Sequence, residues 1–290
     1  MAVQRIIGIR GKPCTVYSMI RKPTSAADLY RVRPGKRVAL AGLPTADTPL
    51  VAEPDHERLA KLADRLNDLE DLLSAVHKQS LLVVLQGMDG AGKDEIVCNV
   101  FGRVNPARMR IEPFDEPTRN EEDHDFLWRA HRRVPGRGEI RVFDRSHYEG
   151  VLVDRVHGKV PPAVWKKRYR QIEAFEETLI NHDTVILKFF LHMSKIEQKR
   201  RLKERLENPK KSWKFKESDL RERRVWADYQ RAYQDAINKT STASAPWFVI
   251  PSDHGWYRDL IVAQIIVEAL DRLHLRYPKP EVDVKNVVVK

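Results

Sequence analysis

The sequence predicts an α/β fold in which a mostly parallel sheet is covered by helices on both faces. Three observations carry that expectation. The run Leu81-Leu82-Val83-Val84-Leu85 is continuously apolar, as strands buried on both faces of a parallel sheet are. Four further β-like segments follow it: Met109 to Glu112, Ile140 to Phe143, Val185 to Leu191 and Trp247 to Ile250. Most of the gaps between them hold a helix-like stretch, and such alternation places ligands outside the carboxyl ends of the strands.

Taken in order, the first 54 residues carry Pro13, Pro23, Pro34, Gly35, Pro44 and Pro49 with no sustained period, which reads as an extended basic N-terminal extension. Pro54 and Asp55 then open a helix, because Leu59, Leu62, Leu66, Leu69, Leu73 and Val76 recur at alternating steps of three and four. The main domain is expected over residues 55–277, with a C-terminal tail at 278–290. Within it, helix signals run from Asp94 to Phe101, Asn120 to Arg132, Pro162 to Asn181, Ser194 to Glu207, Ser218 to Asn238 and Trp256 to Leu275. A segment of about 194–240 reads as helix, Asn-Pro break, helix, the form of a lid.

Composition narrows the class. With 290 residues, 42% of them hydrophobic, the chain can bury a sizeable core and is not disordered. It has no apolar run of membrane-spanning length and its start has no signal-peptide stretch, so a cytoplasmic protein without a membrane partner is expected. Cys14 and Cys98 are too few for a disulfide framework or a zinc site, which leaves oxygen ligands for any metal. The formal charge of +11 is unevenly spread: Lys195 to Lys216 holds ten basic residues against three acidic ones. Charge alone reads equally as a pair of solvated faces or as the footprint of an acidic partner.

The chemistry sits at the strand ends. Gly87-Met88-Asp89-Gly90-Ala91-Gly92-Lys93-Asp94 directly follows the first apolar strand and fits the phosphate-binding pattern GxxxxGK at the turn into a helix. Gly87, Gly90, Ala91 and Gly92 let backbone amides wrap phosphate oxygens, and Lys93 adds a point charge. Asp94 stands where a Ser or Thr normally holds Mg²⁺, so that hydroxyl ligand is missing. Asp89 offers a carboxylate instead, although it also suits a turn. The strand from Ile140 ends in Asp144, the natural second Mg²⁺ ligand; Arg145 beside it is either a phosphoryl clamp or a structural partner of the acid. His147 and Tyr148 read as packing residues. Glu149 is either a reader of the acceptor or a first-turn helix acid. Arg201 and Arg205 are four apart and share a helix face, as do Lys199 and Lys203, so one lid face can line a channel with cations.

These stretches, with Val104-Asn105-Pro106, Pro117-Thr118, His124-Asp125-Phe126-Leu127-Trp128-Arg129, Asn208-Pro209, Trp213-Lys214-Phe215 and Ala245-Pro246-Trp247, resemble the polyphosphate kinase 2 family across most of Asp55 to Tyr277. The resemblance implies a P-loop kinase-like α/β/α sandwich with a parallel sheet and a helical lid, similar to thymidylate kinase. It implies phosphoryl transfer between inorganic polyphosphate and nucleoside mono-, di- and triphosphates, AMP and ADP foremost and GMP or GDP besides, with Mg²⁺ or Mn²⁺ in its place. Carried over, it assigns catalysis to Asp89, Lys93, Asp144, Arg145 and Arg205, and polyphosphate binding to Arg108. Arg201, Lys210 and Lys211 join the binding set as a cationic track for a polyanion. Asn208 replaces the acid common before Pro209. Glu149 together with His147-Tyr148 resembles the members that use both mono- and diphosphate acceptors. A homo-oligomer, dimer or tetramer, is expected, and no nucleic-acid partner. Two other readings stay open: an ATP-dependent nucleoside monophosphate kinase, and a nucleic-acid-binding P-loop protein.

Overall fold

The computed structural model describes residues 25–281. Its five strands, β1 (Ser80–Gln86), β2 (Met109–Pro113), β3 (Ile140–Asp144), β4 (Thr184–His192) and β5 (Trp247–Pro251), form one sheet in the order β2-β3-β1-β4-β5. Every neighbouring pair is parallel. All seven residues of β1 are buried, as an unbroken apolar run in the middle of a covered sheet requires. After β1 the chain builds β2 and β3 on one side, then crosses to β4 and β5 on the other. The switch point therefore lies at the carboxyl end of β1, where a crevice for ligands opens.

In chain order the helices are α1 (Ala26–Tyr30), α2 (His56–Val76), α3 (Lys93–Phe101), α4 (Arg119–Glu122), α5 (Trp128–His131), α6 (Val153–Val156), α7 (Pro162–Ile180), α8 (Lys195–Glu207), α9 (Glu217–Arg224), α10 (Trp226–Thr240) and α11 (Gly255–Asp271). Helices α2, α3 and α11 pack together on one face of the sheet, and α7 with α10 on the other. The stripe predicted for α2 buries Leu66, Leu69 and Leu73, each worth about 1.5–3 kcal/mol. Asp55 caps its start by accepting from the Arg58 amide, and His77 ends it in the left-handed region at φ 51°.

Three expectations change. The single helix expected from Asn120 to Arg132 is two short ones, because the Asp125 side chain accepts the Leu127 amide at 2.9 Å and the His124 ring bonds the Asn120 carbonyl at 2.7 Å. The helix expected from Ser218 to Asn238 breaks at Val225 into α9 and α10. Its two halves answer to different partners: Arg223 ties α9 to the Lys195 carbonyl at the start of α8, while Tyr229, Ala232 and Tyr233 of α10 are buried in the core. The N-terminal extension is not an extended arm over its described part. Val32 donates to the Trp247 carbonyl at 2.8 Å, Arg31 bridges Phe248, and Val38 and Leu40 donate to Asn238 and Gln234 of α10. Ala26, Ala27, Val32 and Leu40 are buried against β5 and its surroundings. Residues 1–24 and 282–290, which hold the rest of the extension and most of the tail, lie outside the described residues.

Candidate active site

The loop from Gly87 to Gly92 leaves β1 at the switch point and opens α3, whose first residue is Lys93. Gly90 and Gly92 sit at φ +83° and +99°, a region that side chains disfavour. A Cβ at Gly92 would also fall 1.6 Å from Arg258 Nη1. The Lys93 side chain folds back over the loop to donate to the Gly87 carbonyl at 3.3 Å and is almost wholly buried. Asp94 is exposed in the first turn of α3, where the helix dipole favours an acid.

Asp144 closes β3 in register with Leu85, which brings it beside the base of the loop. Its Oδ1 is buried and has no hydrogen-bond partner. Arg145 follows in the left-handed region at φ +61°, a conformation that costs a non-glycine residue about 1–3 kcal/mol. Two contacts hold it there: its amide donates to the Leu85 carbonyl at 3.0 Å, and Nη2 donates to Asp89 Oδ1 at 2.8 Å. Burial opposes ionisation of Asp89, but Lys93 and Arg145 outweigh it and hold its carboxyl below the usual range. Arg145 is likewise opposed by burial and held further up by Asp89 and Glu149. At the end of β1, Gln86 donates to Ser146 Oγ at 3.1 Å and to Glu149 Oε1 at 3.0 Å. Burial raises the Glu149 carboxyl above its ordinary value, with Arg145 and Gln86 pulling the other way.

Gly87, Asp89, Arg145, Ser146 and Glu149 line a cavity of about 910 Å³. Its lining includes Phe114, Phe126 and Arg129, and Lys216, Asp219 and Tyr233. Carboxylates outnumber lysines and arginines among the lining residues. The His124-to-Arg129 stretch, a matching motif without an assigned role in the sequence, thus forms part of this lining.

Not every residue singled out in the sequence arrives here. Arg205 reaches across from α8 to Asp219 Oδ2 of α9 at 3.2 Å, and Asp219 borders the cavity. Arg201 shares its helix face but not its role as a channel cation, because its guanidinium is consumed by Glu197, the Gly90 carbonyl and the Ser252 and Asp253 carbonyls. Lys210 and Lys211 lie in the exposed turn between α8 and α9, Lys211 facing Glu204 at 3.4 Å. Arg108 is not brought to the site. It precedes β2, at the opposite end of the strands from the loop, and pairs with Asp71 of α2 at 2.8 Å. The five residues of β2 put it about 16 Å away along the strand direction.

Among the described residues no group of three carboxylates, histidines or cysteines converges. Mg²⁺ does not need one, since it keeps waters and phosphate oxygens and uses one or two protein carboxylates. The buried, unpartnered Asp144 oxygen at the base of the loop that carries Asp89 fits that demand.

A parallel sheet with a GxxxxGK loop at its switch point and a carboxylate on the adjoining strand defines a P-loop kinase-like α/β protein. The family model for polyphosphate kinase 2 matches residues 50–278, and the chain belongs to that family. A relative named AMP/ADP-polyphosphate phosphotransferase, from Meiothermus ruber, is 48% identical over 90% of this chain and 99% of its own length. An ADP-polyphosphate phosphotransferase from Rhodopseudomonas palustris is 39% identical over 86% of this chain and 91% of its own. The crystal structure of polyphosphate kinase 2 from Arthrobacter aurescens superposes with a TM-score of 0.87 at 41% identity, covering 91% and 95% of the two chains.

Proposed function

We propose that this chain is a polyphosphate-dependent nucleotide kinase, moving the terminal phosphoryl group of inorganic polyphosphate onto AMP and onto ADP. The observation that carries the reading is one glycine loop whose Gly87 carbonyl accepts from Lys93, whose Asp89 holds Arg145 and whose preceding Leu85 is in register with Asp144, with Asp89 and Arg145 lining a nucleotide-sized cavity. The names of the Meiothermus ruber and Rhodopseudomonas palustris relatives support it.

In the transfer, a terminal phosphate oxygen of the acceptor attacks the end phosphorus of the donor. The bond to the bridging oxygen breaks, and a polyphosphate one unit shorter leaves as an anion. The acceptor oxygen is already ionised, so the protein's work is positioning and charge neutralisation. Loop amides and Lys93 cradle the donor phosphates, and Arg145, fixed by Asp89, presents its fork to the transferring group. Asp89 and Asp144 would hold Mg²⁺, which would supply charge neutralisation when bound. Arg205 is placed to follow movement of the α8–α9 lid.

The test is purified protein with polyphosphate and Mg²⁺, without ATP, given AMP alone, ADP alone or GDP alone. Product from both AMP and ADP is expected. Product from ADP only would restrict the enzyme to diphosphates, and transfer only when ATP is supplied as donor would replace the reading with an ATP-dependent monophosphate kinase. Glu149→Asn is expected to depress the AMP reaction more than the ADP reaction. An equal loss would reduce Glu149 to a structural role beside Gln86.

A further inference from the structure

We infer that Gln198, Arg201 and Arg258 are positioning residues that set the direction of the phosphate loop's amides, an inference that rests on the function proposed above. Three consecutive loop carbonyls are each held by one side chain. Gln198 Nε2 donates to the Asp89 carbonyl at 2.9 Å, Arg201 Nη1 to that of Gly90 at 2.9 Å, and Arg258 Nη1 to that of Ala91 at 2.8 Å. The peptides here are trans, and in a planar trans peptide the N–H of the next residue points opposite to the carbonyl. Pinning these three carbonyls therefore turns the amides of Gly90, Ala91 and Gly92 away from the clamps. The Ala91 amide closes the loop onto the Met88 carbonyl at 3.0 Å, which leaves those of Gly90 and Gly92 for phosphate.

The clamps answer a problem that the glycines create. Gly90 and Gly92 accept positive φ without penalty, but they accept negative φ as readily, so the loop has little intrinsic preference between peptide orientations. Contacts from outside must decide. Each clamp is itself fixed: Gln198 is fully buried and accepts from Arg223 at 2.9 Å, Arg201 is held by Glu197 and two further carbonyls, and Arg258 is buried on Asp259, which accepts from Asn99 at 2.7 Å. Two of the three come from α8, so the base of the lid and the phosphate loop are one mechanical unit. A movement that carried α8 away would release two peptide planes together.

The experiment compares wild type, Arg201→Lys, Gln198→Met and the exposed-lysine variant Lys199→Ala. Arg201→Lys keeps the charge and loses the fork; Gln198→Met keeps the length and loses the donor. Each is expected to lower kcat/KM for polyphosphate by about 10- to 10²-fold, with the KM of the nucleotide acceptor and the slope of log KM against log salt as in wild type. Lys199→Ala is expected to flatten that slope instead, by roughly 0.9 for one charge. Wild-type kcat/KM in Arg201→Lys would show that a point charge suffices and would overturn the proposal, as would a flattened slope in that variant. If Gln198→Met fails to fold, Gln198→Glu takes its place, a carboxylate of equal size that cannot donate; full activity there also overturns it. Calorimetric titration with tripolyphosphate separates this idea from the proposed function. A wild type that binds but does not transfer contradicts the function alone, and equal Kd in wild type and clamp variants contradicts the clamps.

Discussion

At the scale of single residues, the site is a small set of opposed charges, and each can be removed without disturbing the sheet behind it. Lys93 and Asp144 are the sharpest cases. Lys93→Ala removes a charge whose protein contact is a single carbonyl at 3.3 Å, and Asp144→Asn is isosteric at an oxygen that bonds no protein donor. Both variants are expected to fold as wild type and to lose about 10²-fold or more in turnover. Near wild-type rates in either, measured at saturating polyphosphate and ADP, would remove the basis for the assigned roles. Arg145 shows why neighbouring residues cannot be read separately. Its left-handed backbone is tolerated because Asp89 and the Leu85 carbonyl hold it, so Asp89 both orients the fork and supplies a carboxylate.

At the scale of elements, the α8–α9 segment and the cavity lining make different demands. Arg205 connects α8 to Asp219, whereas Lys210 and Lys211 stand on the turn between α8 and α9. Arg205→Ala is expected to lower turnover strongly. Lys210→Ala and Lys211→Ala should mainly raise the KM for long polyphosphate and flatten its salt dependence, since diffuse cations act through counterion release. Equal effects of all three on turnover at saturating donor would contradict that division. Within the cavity lining, Glu121 closes the capping box of α4 and pairs with Arg133 at 2.8 Å. Burial would raise its carboxyl, but the Thr118 amide, Arg129 and Arg133 overcome this and lower it. A depressed folded-state value means stability that is complete above the ordinary glutamate range and drains away as pH falls through the folded value. Glu121→Gln should thus cost about 1 kcal/mol at pH 7, a gap in Tm that closes below about pH 4. A gap that persists undiminished at pH 3 would show that the charge contributes nothing.

At the scale of the whole molecule, one buried charge ties the layers together. Lys188 of the interior strand β4 is fully buried and donates to Glu176 of α7 at 2.6 Å, to Tyr148 Oη at 3.0 Å and to the Thr240 carbonyl of α10 at 2.7 Å. Burial pushes its ammonium below the ordinary lysine range, with Glu176 opposing. Lys188→Met leaves Glu176 buried with one charged partner gone, an expected cost of about 3–5 kcal/mol in denaturant unfolding. The double variant Lys188→Met, Glu176→Leu should recover much of that loss, because a buried ion pair and an apolar pair of similar volume differ little. If the double variant is as unstable as the single one, the packing of the stem matters and not the orphaned carboxylate. Charge is also sorted over the molecule: acids outnumber lysines and arginines in the cavity lining, while Lys199, Lys203, Lys210 and Lys211 lie outside it.

The amino-acid sequence by itself determined the five strands, the phosphate loop and the carboxylate closing β3, because each is a local signal: an apolar run, a glycine spacing, an acid at a strand end. It also placed α2, α3, α7, α8 and α11 to within a few residues, through apolar periodicity and caps. The break between α4 and α5 was not legible because local side-chain bonds of Asp125 and His124 replace helical ones, and that between α9 and α10 because its two halves answer to different partners. The fate of the arginines belonged to tertiary structure alone. Helical spacing equated Arg201 with Arg205, yet one is spent on carbonyls from β5's end and the phosphate loop while the other faces Asp219. Arg108 had the right motif beside it and the wrong end of the strand. Gln198 and Arg258 carried no signal, because a residue that acts by holding a carbonyl far away in sequence is recognised only when the fold brings the two together.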